Sequence, residues 1–207
     1  LASAGIVSVV MGLAAQSAYY HYLIRYDITI DINSFYCKQT YANRCYIATS
    51  NGVEALTIPV VKEERKTASK DIRISNHTPW QTLHYRAIES AYRSSPFFEY
   101  LYSDIADLYN RRYDFLVDFN IDLQQKILDL LGYKNLDISL STEYIATNDD
   151  KYTDLREQFD AKRQSDSMPD MQERKYHQVF EHKYGFKPNL SILDMLFNTA
   201  LESRLLL

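Results

Sequence analysis

The sequence predicts a mixed α+β fold: one mixed sheet drawn from the N-terminal half, covered by helices and followed by a helical C-terminal layer. Three observations predict it. Asp27 to Ile32 alternates as DITIDI, the period of a half-buried strand. Asn51-Gly52 stands between two runs of strand-forming residues, the strongest short hairpin signal in the chain. From Thr78 onward, apolar residues recur at helical spacing. Strands first and helices after suggest a sheet covered by helices. The length of 207 residues suits one domain over the whole chain.

In order, Ala2 to Ala15 is apolar but too short for a membrane span. It lacks the basic start of a secretory signal, and Ile6 to Met11 reads as a buried strand ending in a turn at Gly12. Tyr19 to Tyr26 reads as an aromatic helix. Ala55 to Val61, the return of the hairpin, holds Pro59, which suits an edge or a bulge. Lys62 to Lys70 is a solvated loop and Lys70 to Ser75 a further alternating strand.

The Trp80 helix is the best marked. Thr78 is placed as its cap, Pro79 at its first position, and Gln81 three residues after the cap. Trp80, Leu83, His84, Ala87, Ile88 and Ala91 share a stripe expected to be buried, while Glu89 and Arg93 face water. Ser94-Ser95-Pro96 breaks this helix. Two more amphipathic helices follow, over Phe97–Tyr109 and Asp114–Leu131, the second capped by Gly132. Leu136 to Leu140 is a short strand. Residues 146–170 turn polar and charged, and read as an exposed insertion or lid. Gln172 to Tyr184 is expected as a helix ended by Gly185, and Ser191 opens the last one.

Composition bounds function. A formal charge of −4 and a pI near 5.7 argue against a general nucleic-acid or anionic-membrane binder. The 18 tyrosines suit sugar or nucleotide surfaces and equally suit packing. The two cysteines, Cys37 and Cys45, form no C-x-x-C motif and no zinc spacing, and a reducing cytoplasmic compartment is the simpler reading. No motif names a cofactor, and no metal-ligand spacing appears.

Four positions carry possible chemistry. Lys38 and Arg44 flank one polar turn with Tyr41 between them, and together could clamp a phosphate or a carboxylate. His84, one turn beyond Trp80 on the apolar stripe, is either a base or ligand opening on a cleft or an interior histidine. His177, with Glu181 four residues on, is either an oriented imidazole or one half of a surface pair. His21 and His182 read as solvent or boundary residues.

Several blocks together resemble a family. They are KQTYANRCYI from Lys38, the LTIPV strand, KDIRI from Lys70, W-x-x-x-H at Trp80 and His84 followed by IESAYRSSPFFEY, Asp154-Leu155-Arg156 with Lys162, and YHQVFEHKYGFKPNLSILDMLFN from Tyr176. In this order they look like the bacterial WbqC-like proteins, over most of residues 19–198. The first loop, GLAAQSAYYHY, departs from that pattern: it lacks proline and has Ala18 where a polar residue is usual.

Such proteins tend to be encoded near O-antigen and other surface-polysaccharide genes. The resemblance implies sugar or sugar-nucleotide metabolism and gives no reaction; the first expectation set on it is a cytoplasmic enzyme, a group transferase acting on an activated amino sugar, with a small-molecule substrate such as a sugar nucleotide. On that expectation His84 is the general base, His177 stands behind it or on the acceptor side, and Lys38, Tyr41, Arg44 and Trp80 lie around the substrate. The alternative is a non-catalytic glycan- or partner-binding protein. The expected geometry has Lys38, Arg44 and His84 lining one cleft.

Overall fold

The computed structural model describes residues 5–8, 17–38, 40–62, 65–134, 136, 138–156 and 174–207. The expected mixture of helices and strands is present, and its strands are divided between two sheets.

The first sheet is parallel and four-stranded, in the order β5 (Ser139–Leu140), β2 (Ile28–Ile30), β1 (Gly5–Ser8) and β6 (Tyr152–Asp154). Strand β1 (Gly5–Ser8) is followed by helix α1 (Ser17–Arg25) and then by β2 (Ile28–Ile30), with Ile6 beside Ile28 and Ser8 beside Ile30. Strand β5 (Ser139–Leu140) adds to β2, and β6 (Tyr152–Asp154) adds to the other side of β1, both parallel. The chain therefore grows outward through β2 and β5, then jumps back past β1. In open parallel sheets this reversal is where the carboxyl ends of neighbouring strands part. Two of the four strands come from beyond residue 138 rather than from the N-terminal half.

Helix α1 buries Tyr19, Tyr20, Tyr22 and Leu23. The Tyr19 hydroxyl donates to Gln124 Oε1 at 2.9 Å, which ties α1 to helix α4 (Leu116–Leu130). His21 is buried too, with Nδ1 against the Leu207 carbonyl, and is no boundary residue.

The second sheet is the Asn51-Gly52 hairpin, β3 (Arg44–Thr49) against β4 (Gly52–Thr57). Gly52 has φ 114°, a conformation few other residues adopt without strain. Strand β4 ends before Pro59, and beyond it Val60 makes a single bridge to Ile74. Lys70 to Ser75 is no strand. Residues Ser69–Asp71 form a 3-10 turn because the Ser69 and Lys70 amides are taken by the carbonyls of Ser34 and Ile32.

Helices α2 (Trp80–Tyr92) and α3 (Phe98–Tyr109) complete the core with α4, whose chain leaves at Gly132, φ 86°. In α2 the buried residues are Trp80, His84, Ile88, Ala91 and Tyr92, whereas Leu83 is 57% exposed. Thr78 does not cap this helix by its side chain; its carbonyl takes the Trp80 amide. After residue 173 only α5 (Glu181–Tyr184) is helical in the stretch expected as one longer helix. There Gln178 bonds both the amide and the carbonyl of Lys187, closing a loop instead of a helical turn. Helices α6 (Ile192–Thr199) and α7 (Ser203–Leu206) end the chain, and Ser191 caps α6 by accepting from the Leu193 amide.

Of the polar stretch 146–170, the described part runs to 156 and includes β6; residues 157–170 and the expected turn at Gly12 lie outside the described residues.

Candidate functional site

The turn from Lys38 to Arg44 is held by its own polar residues. Thr40 Oγ1 donates to the Cys37 carbonyl and accepts from the Ala42 amide. Asn43 Nδ2 donates to Ile58 O at 3.0 Å, and Asn120 Nδ2 reaches from α4 to Ala42 O at 2.8 Å. Tyr41 is buried, edge-on to Tyr46 at 6.2 Å between centroids, so it packs the turn against the interior.

Arg44 opens β3 opposite Thr57 and donates from Nε to Thr57 Oγ1 at 3.0 Å. His84 approaches the same residue from α2, with Nε2 at 3.1 Å from the Thr57 carbonyl oxygen. A carbonyl only accepts, so Nε2 carries the proton and Nδ1 is left as a buried acceptor with no partner among the described residues. Arg44 and His84 thus meet on Thr57, one on its hydroxyl and the other on its backbone. The imidazole itself is sealed: it is 5% exposed, with the Trp80 ring at 5.3 Å and the Tyr109 ring at 6.2 Å. Burial pushes its pKa down from 6.5 to about 4, against the backbone bond to Thr57, so the ring is neutral near neutral pH. Trp80 is buried against it and offers no surface to a ligand.

That burial has a measurable sign. Between the unfolded pKa near 6.5 and the folded pKa near 4, the unfolded chain holds the proton and the folded one does not. The His84 contribution is complete above the first value and is lost as pH falls toward the second. Asp194 works the other way, because burial raises its carboxyl to about 6. The two offset in wild type, and a comparison with His84→Gln isolates the histidine. Relative to the variant, wild type should lose about 2 kcal/mol between pH 7 and pH 5 in urea melts. A difference that stays constant with pH would refute the sealed imidazole.

Lys38 lines a different feature. A cavity of about 260 Å³ is formed by Tyr36 and Lys38 on one segment and Arg65, Lys66 and Thr67 on another, with Val61 and Ile72 as apolar wall. The Tyr36 amide donates to Thr67 O at 3.0 Å and holds the segments together. Lys38, Arg65 and Lys66 have no carboxylate partner among the described residues. The Tyr36 hydroxyl is buried and has no partner among the described residues. Burial pushes its pKa up to about 12, with the neighbouring Cys37 adding to this and the nearby Arg44 charge opposing it. The structure therefore brings Arg44 near Tyr36, and Tyr36 beside Lys38. His177 is exposed in the extended run before α5; that helix begins only at Glu181, so the two do not form a helical i, i+4 pair.

Two groups were given no role from the sequence, although Asp154 and Arg156 stand in one of the blocks that carry the resemblance. Arg65 and Lys66 belong to a run read as solvated loop, and nothing local marks them as facing Tyr36. The other group sits at the carboxyl ends of the parallel strands. Asp31, just past β2, is fully buried and accepts from the Asn33 and Ile145 amides, Ser141 Oγ and Arg156 Nη1, the last at 2.8 Å. Arg156 also grips Asp154 at the end of β6 and donates to Ile145 O. Burial raises the Asp154 carboxyl, but its bonds to Arg156 outweigh this and hold it below the usual carboxylate range. Among the described residues no group of three or more His, Cys, Asp or Glu could hold a metal ion.

The WbqC-like protein family matches residues 17–169, more than half of the chain, and takes in the Lys38 turn, the Tyr36 cavity, α2 and the Asp31–Arg156 cluster. The chain belongs to the WbqC-like family. This WbqC-like protein is also similar to "Uncharacterized protein Rv1507c" of Mycobacterium tuberculosis (strain ATCC 25618 / H37Rv), 25% identical over 219 residues that cover 91% of this chain and 93% of the relative. No solved structure matches it. No helix among its described residues is long and apolar enough to cross a membrane.

Proposed function

We propose that this protein is a cytoplasmic group transferase of surface-polysaccharide metabolism, acting on an activated amino sugar. The cavity beside Lys38 is its subsite for the anionic part of the substrate. The observation that carries this reading is the cavity itself: Lys38, Arg65 and Lys66 around about 260 Å³, none with a carboxylate partner among the described residues. Cations gathered beside an apolar wall are suited to a charged, oxygen-rich ligand. The family's association with polysaccharide loci supports a sugar-derived one. Cys37 and Cys45 are free thiols, which suits a reducing compartment.

In this reading Arg44 adds positive potential behind Tyr36, and His84 acts by fixing Thr57 in place rather than as a base. His177, exposed and unhindered by a helical partner, is the candidate on the acceptor side. The test is a thermal-shift screen against nucleotide sugars and acyl donors, with mass spectrometry of the mixtures. A nucleotide sugar at 100 times its Kd should stabilise the chain by about 2.7 kcal/mol. Both that shift and any new product should be reduced in Lys38→Ala and Arg65→Ala. A screen in which no nucleotide sugar stabilises the protein and none is converted would refute the reading.

A second reading, a non-catalytic glycan-binding protein, is favoured by one other feature. A groove of about 400 Å³ between α2 and α3 is lined by Phe98, Tyr85 and Tyr102, with Glu99 and Asp107 beside them. Aromatic faces beside carboxylates suit a sugar ring and its hydroxyls. Stabilisation by free sugars, lost in Tyr85→Ala and unaccompanied by turnover, would select it.

A further inference from the structure

The cavity beside Lys38 presents more than positive charge. Its cations come from separate segments, Lys38 on one and Arg65 and Lys66 on the other, so they face a ligand from both sides. The backbone bond from Tyr36 to Thr67 fixes the spacing of those segments. The Tyr36 hydroxyl, on a residue that lines the cavity, is buried and has no acceptor among the described residues. A buried donor without a partner is unfavourable in the empty protein and becomes favourable once a ligand oxygen reaches it.

A carboxylate would use this arrangement poorly. It carries one charge against three cations, and both of its oxygens sit on one carbon, so it spans the two walls less fully. A diphosphate carries at least two charges and offers oxygens at both of its phosphorus atoms. Arg65 can grip one end through two of its nitrogens while the lysines act as point charges on the rest.

Resting on the reading that this cavity holds the anionic part of the substrate, we infer that it is a diphosphate subsite, with the Tyr36 hydroxyl donating to a phosphoryl oxygen. The substrate class is then a nucleoside-diphosphate or other diphosphate-linked sugar, and not one recognised here through a carboxylate. With its pKa raised to about 12, the phenol keeps its proton across the working pH range and remains a donor.

The experiment is calorimetric titration of the full chain at constant ionic strength with inorganic pyrophosphate, inorganic phosphate and acetate. Pyrophosphate should bind at least about tenfold tighter than phosphate, and acetate should give no saturable heat. Loss of one hydrogen bond to a charged ligand predicts a drop of roughly 10- to 100-fold for Tyr36→Phe. Affinity should fall with added salt, and less steeply in Lys66→Gln. Lys134→Gln, an exposed cation outside the cavity, should titrate as wild type. Acetate competing as well as pyrophosphate, or Tyr36→Phe binding as wild type does, would overturn the assignment. Should Tyr36→Phe fail to fold, the exposed Lys38→Gln and Lys66→Gln decide in its place, and unchanged pyrophosphate affinity in both would overturn it. Pyrophosphate binding without conversion of any nucleotide sugar leaves the subsite standing and removes the transferase. Nucleotide-sugar conversion indifferent to Tyr36→Phe does the reverse.

Discussion

Arg156→Met should destabilise the protein by roughly 3–5 kcal/mol at neutral pH, the cost of breaking a buried ion pair from one side. Asp31 is completely buried, and its strongest partner is the Arg156 guanidinium, itself 8% exposed. Removing that cation leaves a carboxylate with only neutral donors: the Asn33 and Ile145 amides and the Ser141 hydroxyl. Methionine matches the stem of arginine in length, so packing loss is minor and the charge dominates.

The change also acts across the sheet. Arg156 joins Asp154, at the end of β6, to Asp31, just past β2, with β1 between them. Without it, β6 loses a polar fastening to the rest of the sheet. Urea melts of wild type and variant measure the loss. The penalty should shrink in the background of Asp31→Asn, because the two residues are directly coupled. A penalty below about 1 kcal/mol, or one fully additive with Asp31→Asn, would show that the cluster is no ion-pair clamp.

This cluster also marks where the sequence stopped being legible. The hairpin and helices α2 to α4 could be read because their signals are local: Asn51-Gly52 needs φ above zero at its glycine, and the helical stripes repeat within one segment. In the parallel sheet β1, β2 and β5 fall in or overlap segments whose pattern reads as strand, but β6 and the order of pairing carry no local signal. Strand β6 is Tyr152–Asp154 inside a polar run, and what makes it a strand is β1, distant in sequence and paired at Val7 and Asp154. Three residues alone cannot show a period. Lys70 to Ser75 failed for the opposite reason: it alternates well, yet the neighbouring backbone leaves it only isolated bridges.

The site divided along the same line. The contact of Arg44 and His84 with Thr57 follows from the hairpin register and from the packing of α2 on it. Arg65 and Lys66 reach Tyr36 only through the return of a loop, which composition reads as solvated. Even within α2 the stripe was drawn too wide. At 100° per residue, the buried set Trp80, His84, Ile88, Ala91 and Tyr92 centres roughly 110° from Leu83, which accordingly faces water.

Trp80→Ala should cost about 3–5 kcal/mol, in the range for deleting a large buried aromatic side chain. Trp80 is 3% exposed, and its ring meets Phe119 at 5.3 Å, Tyr109 at 6.1 Å and His84 at 5.3 Å, each edge-on. These partners sit on α4, α3 and α2, so the indole fills the junction of the helices that cover the hairpin. Its Nε1–H has no acceptor among the described residues, so the indole stabilises by shape and area and not by a hydrogen bond. Trp80→Phe should therefore recover most of the loss, because it keeps the aromatic contacts and removes an unsatisfied donor. The alanine variant should reach further than stability. The space it opens borders His84, and water entering there would raise the imidazole pKa toward its ordinary 6.5. Urea melts at pH 7 and pH 5 test both points: a large loss for alanine, a small one for phenylalanine, and a weaker acid penalty for alanine. Equal stability of all three proteins at pH 7 would remove Trp80 from the core.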